Sequence, residues 1–357
     1  MVGRLPVSVI VVTYQAEEFI SATLTALIDD PSGPSEILVV DNGSTDRTGE
    51  IVRDFGVRWH PAGRNLGYGA AANEGVRLVS EDVVAVVNHD VIVRPGWLGP
   101  LYAMLEAPDV GAVMPTIELT DRPGFFNTSG GHMTVSGVAW ITDFGERTDK
   151  AAELAVVPFP SGAAFAMRRS TWDRIGGMRS DFFLYHEDTD LGWRLRIHGL
   201  KTLRVPGSTV AHVYEFDRNP QKLRLLERNR WLMLATNYRR STLLLLLPVL
   251  VLHETGILIV ATRDGWVRGK VATWREVLER RRYLKEQYRN IQRSRTVGDC
   301  VILQGATHPF VSLRVPGIEV PRGAALVARI TKWYVMLITG VVRAVDRRKG
   351  LATRVSA

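Results

Sequence analysis

The residues of this chain best suited to chemistry stand where apolar runs end. Val7 to Val12 closes on Thr13-Tyr14, Ile37 to Val40 on Asp41-Asn42-Gly43-Ser44-Thr45-Asp46, and Val83 to Val87 on Asn88-His89-Asp90. In an open parallel sheet a ligand lies beyond the carboxyl ends of the strands, so polar strand tips are the first candidates for holding one. A carboxylate at such a tip, Asp41, can accept an N–H hydrogen bond from a uracil, thymine or guanine edge; a plain turn acid is the other reading. Asp46 suits the N-cap of the helix after the turn. Asp90 offers the hard oxygen that a divalent ion on a diphosphate needs, with a structural turn before Pro95-Gly96 as its competing reading.

A second group lies far along the chain. Phe182-Phe183-Leu184-Tyr185-His186-Glu187-Asp188-Thr189-Asp190 delivers three acids behind a wall of aromatic rings to the start of a helix that Gly199 can end. The helix dipole accounts for one of them, most naturally Asp190, but not for Glu187 beside Asp188. A carboxylate in that setting can act as general base toward an incoming hydroxyl, with His186, Glu187 and Trp193 as candidates for positioning acceptor or donor. His212 closes Val210-Ala211 and is either a packed histidine or part of a metal shell with Asp90. Asn65-Leu66-Gly67-Tyr68-Gly69 follows a third strand and lacks the third glycine of a dinucleotide fingerprint, which excludes the oxidoreductase reading. Its small residues still let backbone approach a phosphate or sugar, so Asn65 and Gly67 join Thr13, Tyr14, Asp41 and Asn88 as nucleotide-sugar candidates.

The elements that must position these residues follow from periodicity. Strand patterns at Val7 to Thr13, Ile37 to Asp41, Val57 to His60 and Val83 to Asn88 alternate with helical patterns at Ala16 to Ile28, Asp46 to Phe55, Gly67 to Val79 and Trp97 to Glu106. That alternation predicts a doubly wound α/β domain with a mainly parallel sheet, residues 1–115 forming the nucleotide-binding half. After Val110 to Pro115 the spacing of Gly130, Gly131, Gly137 and Gly145 predicts a hairpin insertion within an acceptor half, 116–240. Residues 241–357 read as a separate helical region.

That region carries most of the charge. The chain's net charge is +8, and between Arg263 and Arg295 eleven basic residues face four acidic ones. The stretch follows Leu243 to Leu252 and Ile257 to Ala261, so anionic lipid rather than nucleic acid is the expected partner. His253-Glu254-Thr255-Gly256 interrupts the apolar run, and a glutamate at mid-bilayer costs about 2.5–3.5 kcal/mol, which favours an interfacial or re-entrant hairpin over one spanning helix. Trp266, Val271, Trp274, Leu278, Leu284, Tyr288 and Ile291 recur at helical steps and predict one basic amphipathic helix on the membrane. Trp333 to Leu337 suits packing on lipid or on a twin subunit. A lone cysteine, Cys300, allows neither an internal disulfide nor a cysteine zinc site and fits a cytoplasmic setting. The first residues read as a strand, not as a cleaved leader.

Taken together the motifs resemble the family-2 inverting glycosyltransferases of the GT-A fold, within them the bacterial rhamnosyltransferase-type enzymes of cell-envelope assembly. The resemblance covers roughly Val7 to Tyr238 and rests on VSVIVVTY, VVDNGSTD, NLGYGAAANEG, VNHD, SGAAFAMRRSTWDRIGG, FFLYHEDTDLGWRLRIHG and ERNRW, in the family's order. It implies that Thr13, Asp41 and Asn65 contact nucleotide, that Asp90 is the last acid of a motif holding Mg²⁺ or Mn²⁺, that Asp188 is the catalytic base, and that His212 binds metal or diphosphate. Arg228, Asn229, Arg230 and Trp231 fall where relatives hold donor or acceptor. The implied partners are a dTDP-, UDP- or GDP-sugar, with dTDP-rhamnose the first choice, and a lipid-linked glycan acceptor at the cytoplasmic face of the cell membrane. Two positions depart from the pattern. Asn88 stands where many relatives carry an acid, which bears on metal affinity, and Glu227 stands where processive synthases open with Gln, which argues against a polymerase. Two other classes compete. A sugar nucleotidyltransferase would want a glycine-rich basic loop after the first strand, where Thr13-Tyr14-Gln15-Ala16 stands, and a non-catalytic nucleotide-sugar-binding scaffold would release no nucleoside diphosphate.

Overall fold

The computed structural model describes residues 3–151, 153–213, 221–306 and 324–353. Two compact units emerge: one of residues up to Gly131, Ile141–Leu195 and Leu200–Arg218, the other of His132–Trp140, Arg196–Gly199 and the chain from Asn219. This division groups residues 219–240 with the C-terminal helices, whereas the sequence pattern sets the boundary near Arg240.

The first unit is built on β1 (Leu5–Thr13), β2 (Pro34–Asp41), β3 (Arg58–Pro61) and β4 (Val83–Asn88), which lie parallel in the order β4-β1-β2-β3. Their Val and Ile runs are buried nearly throughout, as expected of strands covered on both faces, and each such side chain contributes about 1.5–3 kcal/mol. The crossovers are α1 (Ile20–Asp29), α2 (Thr48–Asp54) and α3 (Tyr68–Leu78). Helix α3 lies close on the sheet because a Cβ at Gly75 would run into Ile10 and Val40.

Beyond β4 the pattern is mixed. After β5 (Val91–Val93) and α4 (Leu98–Met104), β6 (Val110–Leu119) continues past Pro115, and β7 (Phe126–Thr128) pairs with it antiparallel. The glycine-spaced segment forms the expected hairpin, β8 (Gly131–Met133) with β9 (Ala139–Ile141). Next come β10 (Ala155–Val157), β11 (Ala164–Arg168), α5 (Arg169–Ile175), α6 (Glu187–Ile197) and β12 (Lys201–His212). Strand β11 inserts antiparallel between β4 and β6, and β12 pairs parallel with β6 and antiparallel with β5. Two placements result: Asn88 N donates to Ala163 O at 2.9 Å, and His212 stands opposite Val91, next to Asp90.

The second unit holds α7 (Lys222–Asn237), α8 (Arg240–Arg263), α9 (Val267–Glu279), α10 (Arg281–Arg293), α11 (Asp299–Gly305) and α12 (Ala324–Arg348). Two expectations are corrected here. The apolar stretch is one continuous helix of 24 residues, not a hairpin, because Glu254 in its middle has non-local partners: Arg230 of α7 and Lys270 of α9. The basic segment is two helices divided at Arg280, not one. Leu284 and Ile291 point inward, whereas Val271 and Leu278 face solvent.

Candidate active site

The strand tips converge as their polarity requires. Thr13 and Asp41 are register partners at the ends of β1 and β2, and Asn42 N donates to Thr13 O at 2.8 Å. Asp41 is buried and its Oδ1 accepts Ser44 N at 3.0 Å, while Thr13 Oγ1 is buried without a hydrogen-bond partner. Asp46 accepts from Thr48 N and Glu17 N, holding the start of α2 one residue earlier than a conventional cap. Asn42 and Asn65 tie the second tip to the segment before α3: Leu66 N donates to Asn42 Oδ1 at 2.7 Å, and Asn42 Nδ2 and Gly67 N donate to Asn65 Oδ1 at 3.1 and 2.9 Å. Tyr14 leaves its ring exposed beside them.

Asp90 Oδ1 lies 3.3 Å from His212 Nε2, and His212 Nδ1 sits 3.1 Å from Asn127 Oδ1. Burial pushes the Asp90 carboxyl up, but hydrogen bonding and charge from His212, helped by His89, outweigh it and hold the group below its usual range. Asp90 is thus a carboxylate whose Oδ1 is buried and makes no well-aligned hydrogen bond, facing an imidazole. That donor set, a carboxylate and an imidazole, fits a hard or borderline divalent ion. Among the described residues no three His, Cys, Asp or Glu side chains cluster as a closed metal site.

The acid pair stands at the first turn of α6, and its two members differ in their surroundings. Asp188 Oδ1 accepts Thr189 N at 2.6 Å and Thr189 Oγ1 at 3.2 Å, and its Oδ2 accepts Gly162 N at 3.2 Å. Glu187 is buried with Oε2 unpartnered. Burial, then the neighbouring Asp188 charge, raises Glu187 to about 8; burial also raises Asp188, but the donors on it oppose the shift. The hydrogen bonds that fall on Asp188 favour its charged form, and the lack of one on Glu187 Oε2 favours the neutral form there, so Asp188 is the better placed of the two to be the carboxylate.

Tyr68, at the start of α3, joins the two acidic sites. Its hydroxyl donates to Gly162 O at 2.5 Å, and burial followed by the charges of Glu187, Asp188 and Asp90 raises its phenol. Gly162 N reaches Asp188, and the next residue's carbonyl, Ala163 O, accepts Asn88 N, so the acid pair is tied to the tip of β4 two residues before Asp90. Tyr68, Gly162 and Thr189 were missed in the sequence: a Tyr opening a helix and a Gly before a strand carry no local mark, and only tertiary pairing assigns them work.

The loop delivering the acids is strained. Phe183, Tyr185 and His186 have φ of 65°, 72° and 67°, a left-handed region that non-glycine residues enter at a cost of about 1–3 kcal/mol each, usually at functional sites. The loop is clipped to α3: Tyr68 N donates to Phe183 O at 2.8 Å, and a Cβ on Gly67, φ 85°, would collide with Phe183 backbone.

Three expectations change. Trp193 is 1% exposed, inside the first unit rather than facing a ligand, because six residues along α6 the helix has turned it from the Glu187 end into the core. Asp190 is fully buried and pairs with Arg194 at 2.6 Å, a packing role beyond the helix dipole. In the second unit Arg228, Asn229 and Arg230 are buried too. Arg230 binds Glu227, Glu254 and Ser136 O, and Arg228 lies 3.7 Å from Glu276, so their charge is committed to holding helices together.

A parallel nucleotide-type sheet, an antiparallel strand inserted beside β4, and a Gly162-Ala163 segment that ties the acids at the start of α6 to the tip of β4 define a nucleotide-sugar transferase of GT-A type. The family model described as glycosyl transferase family 2 matches residues 8–176. N-acetylglucosaminyl-diphospho-decaprenol L-rhamnosyltransferase of Mycobacterium tuberculosis is 32% identical over 238 residues, which is 59% of this chain and 76% of that one. Validoxylamine A glucosyltransferase of Streptomyces hygroscopicus subsp. limoneus is 27% identical over 54% of this chain and 48% of its own. Among solved structures, residues 1–349 of S. aureus TarS align over 98% of this chain and 93% of that one, with TM-score 0.51 and 14% identity. GalNAc-T7, solved with UDP, GalNAc and Mn²⁺, aligns over 64% and 48% with TM-score 0.53 and 18% identity. The chain belongs to glycosyl transferase family 2 and is a glycosyltransferase with the GT-A fold.

Proposed function

We propose that the protein transfers a sugar, L-rhamnose by first choice, from a nucleoside diphosphate donor to a hydroxyl of a lipid-linked glycan at the cytoplasmic face of the cell membrane, with inversion at the anomeric carbon. The observation that carries this reading is the segment Gly162-Ala163, which holds Asp188 and Tyr68 through Gly162 and the tip of β4, two residues before Asp90, through Ala163. Asp41, Thr13, Asn65 and Gly67 edge the same strand ends and suit the base and ribose of the donor. Asp90 and His212 are the residues that would hold Mg²⁺ or Mn²⁺, and when bound that ion supplies charge neutralisation for the departing diphosphate. Asp188 takes the proton from the acceptor hydroxyl; the acceptor oxygen forms a bond to the anomeric carbon as the bond to the diphosphate breaks, and the nucleoside diphosphate leaves. Glu187, holding its proton, adds no second negative charge beside the nucleophile. The rhamnose and polyprenol-diphosphate assignments rest on the rhamnosyltransferase similarity.

Membrane attachment rests on α8, whose 18-residue apolar window has a mean hydropathy of 2.4 and is 17% buried. Because Glu254 is bound by Arg230 and Lys270, one face of α8 stays with its neighbouring helices and the other, with Leu244, Leu247 and Val251, is free for lipid. A peripheral, monotopic seat fits that division better than a crossing helix. The test is release of nucleoside diphosphate from a panel of dTDP-, UDP- and GDP-sugars with N-acetylglucosaminyl-diphospho-polyprenol as acceptor, with Mn²⁺ and after EDTA. Acceptor-dependent release that is strongest with dTDP-rhamnose and lost in EDTA is expected. Donor binding without release for every sugar would leave the scaffold reading.

A further inference from the structure

The helical unit contains a cavity of about 520 Å³ bordered by α7, the start of α8, α9 and α10. It is lined by Arg240, Arg281, Arg282 and Lys285 together with buried Leu284 and exposed Leu278, and no carboxylate lines it. The Arg240 guanidinium lies 5.2 Å over the Tyr288 ring. The buried cations of this unit are matched by acids: Arg230 with Glu227 and Glu254, Arg239 with Asp346, Lys270 with Glu227 and Glu254, Arg295 with Asp299. The four cavity cations have no carboxylate partner among the described residues. Four like charges around one space repel each other, and an anion seated among them turns that repulsion into attraction. Arg240 also opens the face of α8 that continues, at helical steps of four and three residues, through exposed Leu244, Leu247 and Val251.

We infer that this cavity is a binding site for the phosphate headgroup of an anionic membrane lipid, its four cations taking the phosphate while the apolar stripe of α8 takes the chain. The inference rests on the membrane-facing reading of this unit and gives it a discrete contact in place of a diffuse basic surface. A lipid phosphate suits the site because the cations and the apolar stripe are continuous, whereas a free phosphate would leave the stripe and the apolar lining unused. Guanidinium groups supply the forked donors that phosphate oxygens accept, and Lys285 adds a point charge.

The test is partition of the full chain onto vesicles of phosphatidylcholine, alone or with phosphatidylglycerol, comparing Arg281→Glu/Lys285→Glu with Arg268→Glu/Arg293→Glu. Both doubles change net charge equally, and only the first touches the cavity. The cavity double is expected to lose at least about tenfold in partition to the anionic vesicles, with the control double losing far less. The milder Arg281→Gln/Lys285→Gln should fall between wild type and the reversal. Equal losses in the two reversals would overturn the site in favour of general surface charge. Displacement of wild type from vesicles by millimolar inorganic phosphate, at constant ionic strength, would overturn the lipid assignment in favour of a soluble anion. Nucleoside diphosphate release with a water-soluble acceptor should be equal in all the variants, so failure of the lipid site and failure of the transfer reading give different results.

Discussion

Asp188 and Glu187 are neighbours with opposite duties, and the difference lies in who donates to them. Three hydrogen bonds fall on Asp188, and the buried Oε2 of Glu187 has none. Asp188→Asn should reduce turnover by about 10²–10⁴-fold with donor affinity kept, measured by steady-state kinetics beside donor titration. Tyr68 acts through Gly162: its hydroxyl fixes the residue whose N–H reaches Asp188. In Tyr68→Phe that donor loosens, the carboxylate loses support, and the acidic limb of the kcat/KM profile should move to higher pH with the donor KM little changed; an unmoved limb would show that the hydroxyl serves packing alone. Glu187 has a folded pKa of about 8 against an ordinary 4.5, so its buried neutral form stabilises the fold fully below about 4.5 and that contribution fades as pH climbs to about 8. Thermal melts of Glu187→Gln should therefore lack the wild-type decline across this window. The acids themselves were legible as a cluster in sequence, and Asp90 and His212 as strand ends. Which acid keeps the proton was not, because that depends on Gly162, 26 residues away.

At the scale of elements, the strand and helix periods located β1 to β4 and α1 to α4 to within a few residues, because buried Val/Ile runs and amphipathic helices state their own geometry. The errors fall where a polar residue inside an apolar run has a distant partner. Glu254 reads as a break in an interfacial hairpin; in the fold it is the bolt between α7, α8 and α9, binding Arg230, Lys270 and Trp274 Nε1. Glu254→Ala would leave two buried cations sharing Glu227 and should cost about 3 kcal/mol, read as a lowered urea midpoint with unchanged m. The stretch from Trp266 to Ile291 misled for a related reason: its period passes through Arg280, where one helix ends and the next begins, a break that side-chain spacing does not encode.

For the whole molecule, the exposed side chains of α8 and of α12, where Leu326, Ile330, Trp333 and Leu337 recur at helical steps, make an apolar surface that water alone would not select. Leu247→Lys with Trp333→Lys should reduce the need for detergent during purification and lower vesicle binding, while donor hydrolysis in solution stays at the wild-type level. The first unit carries a constraint of a different sort. The kinked run from Phe183 to His186 is hooked by its Phe183 carbonyl to the chain at Tyr68, over a glycine that tolerates no side chain. On the proposed roles, donor recognition and acceptor activation are thereby inherited as one package. A graft that brings in another enzyme's acidic loop to change acceptor preference will work only if residues 67 and 68 travel with it, and an exchange of the loop alone should yield a folded protein that binds nucleotide and makes no product.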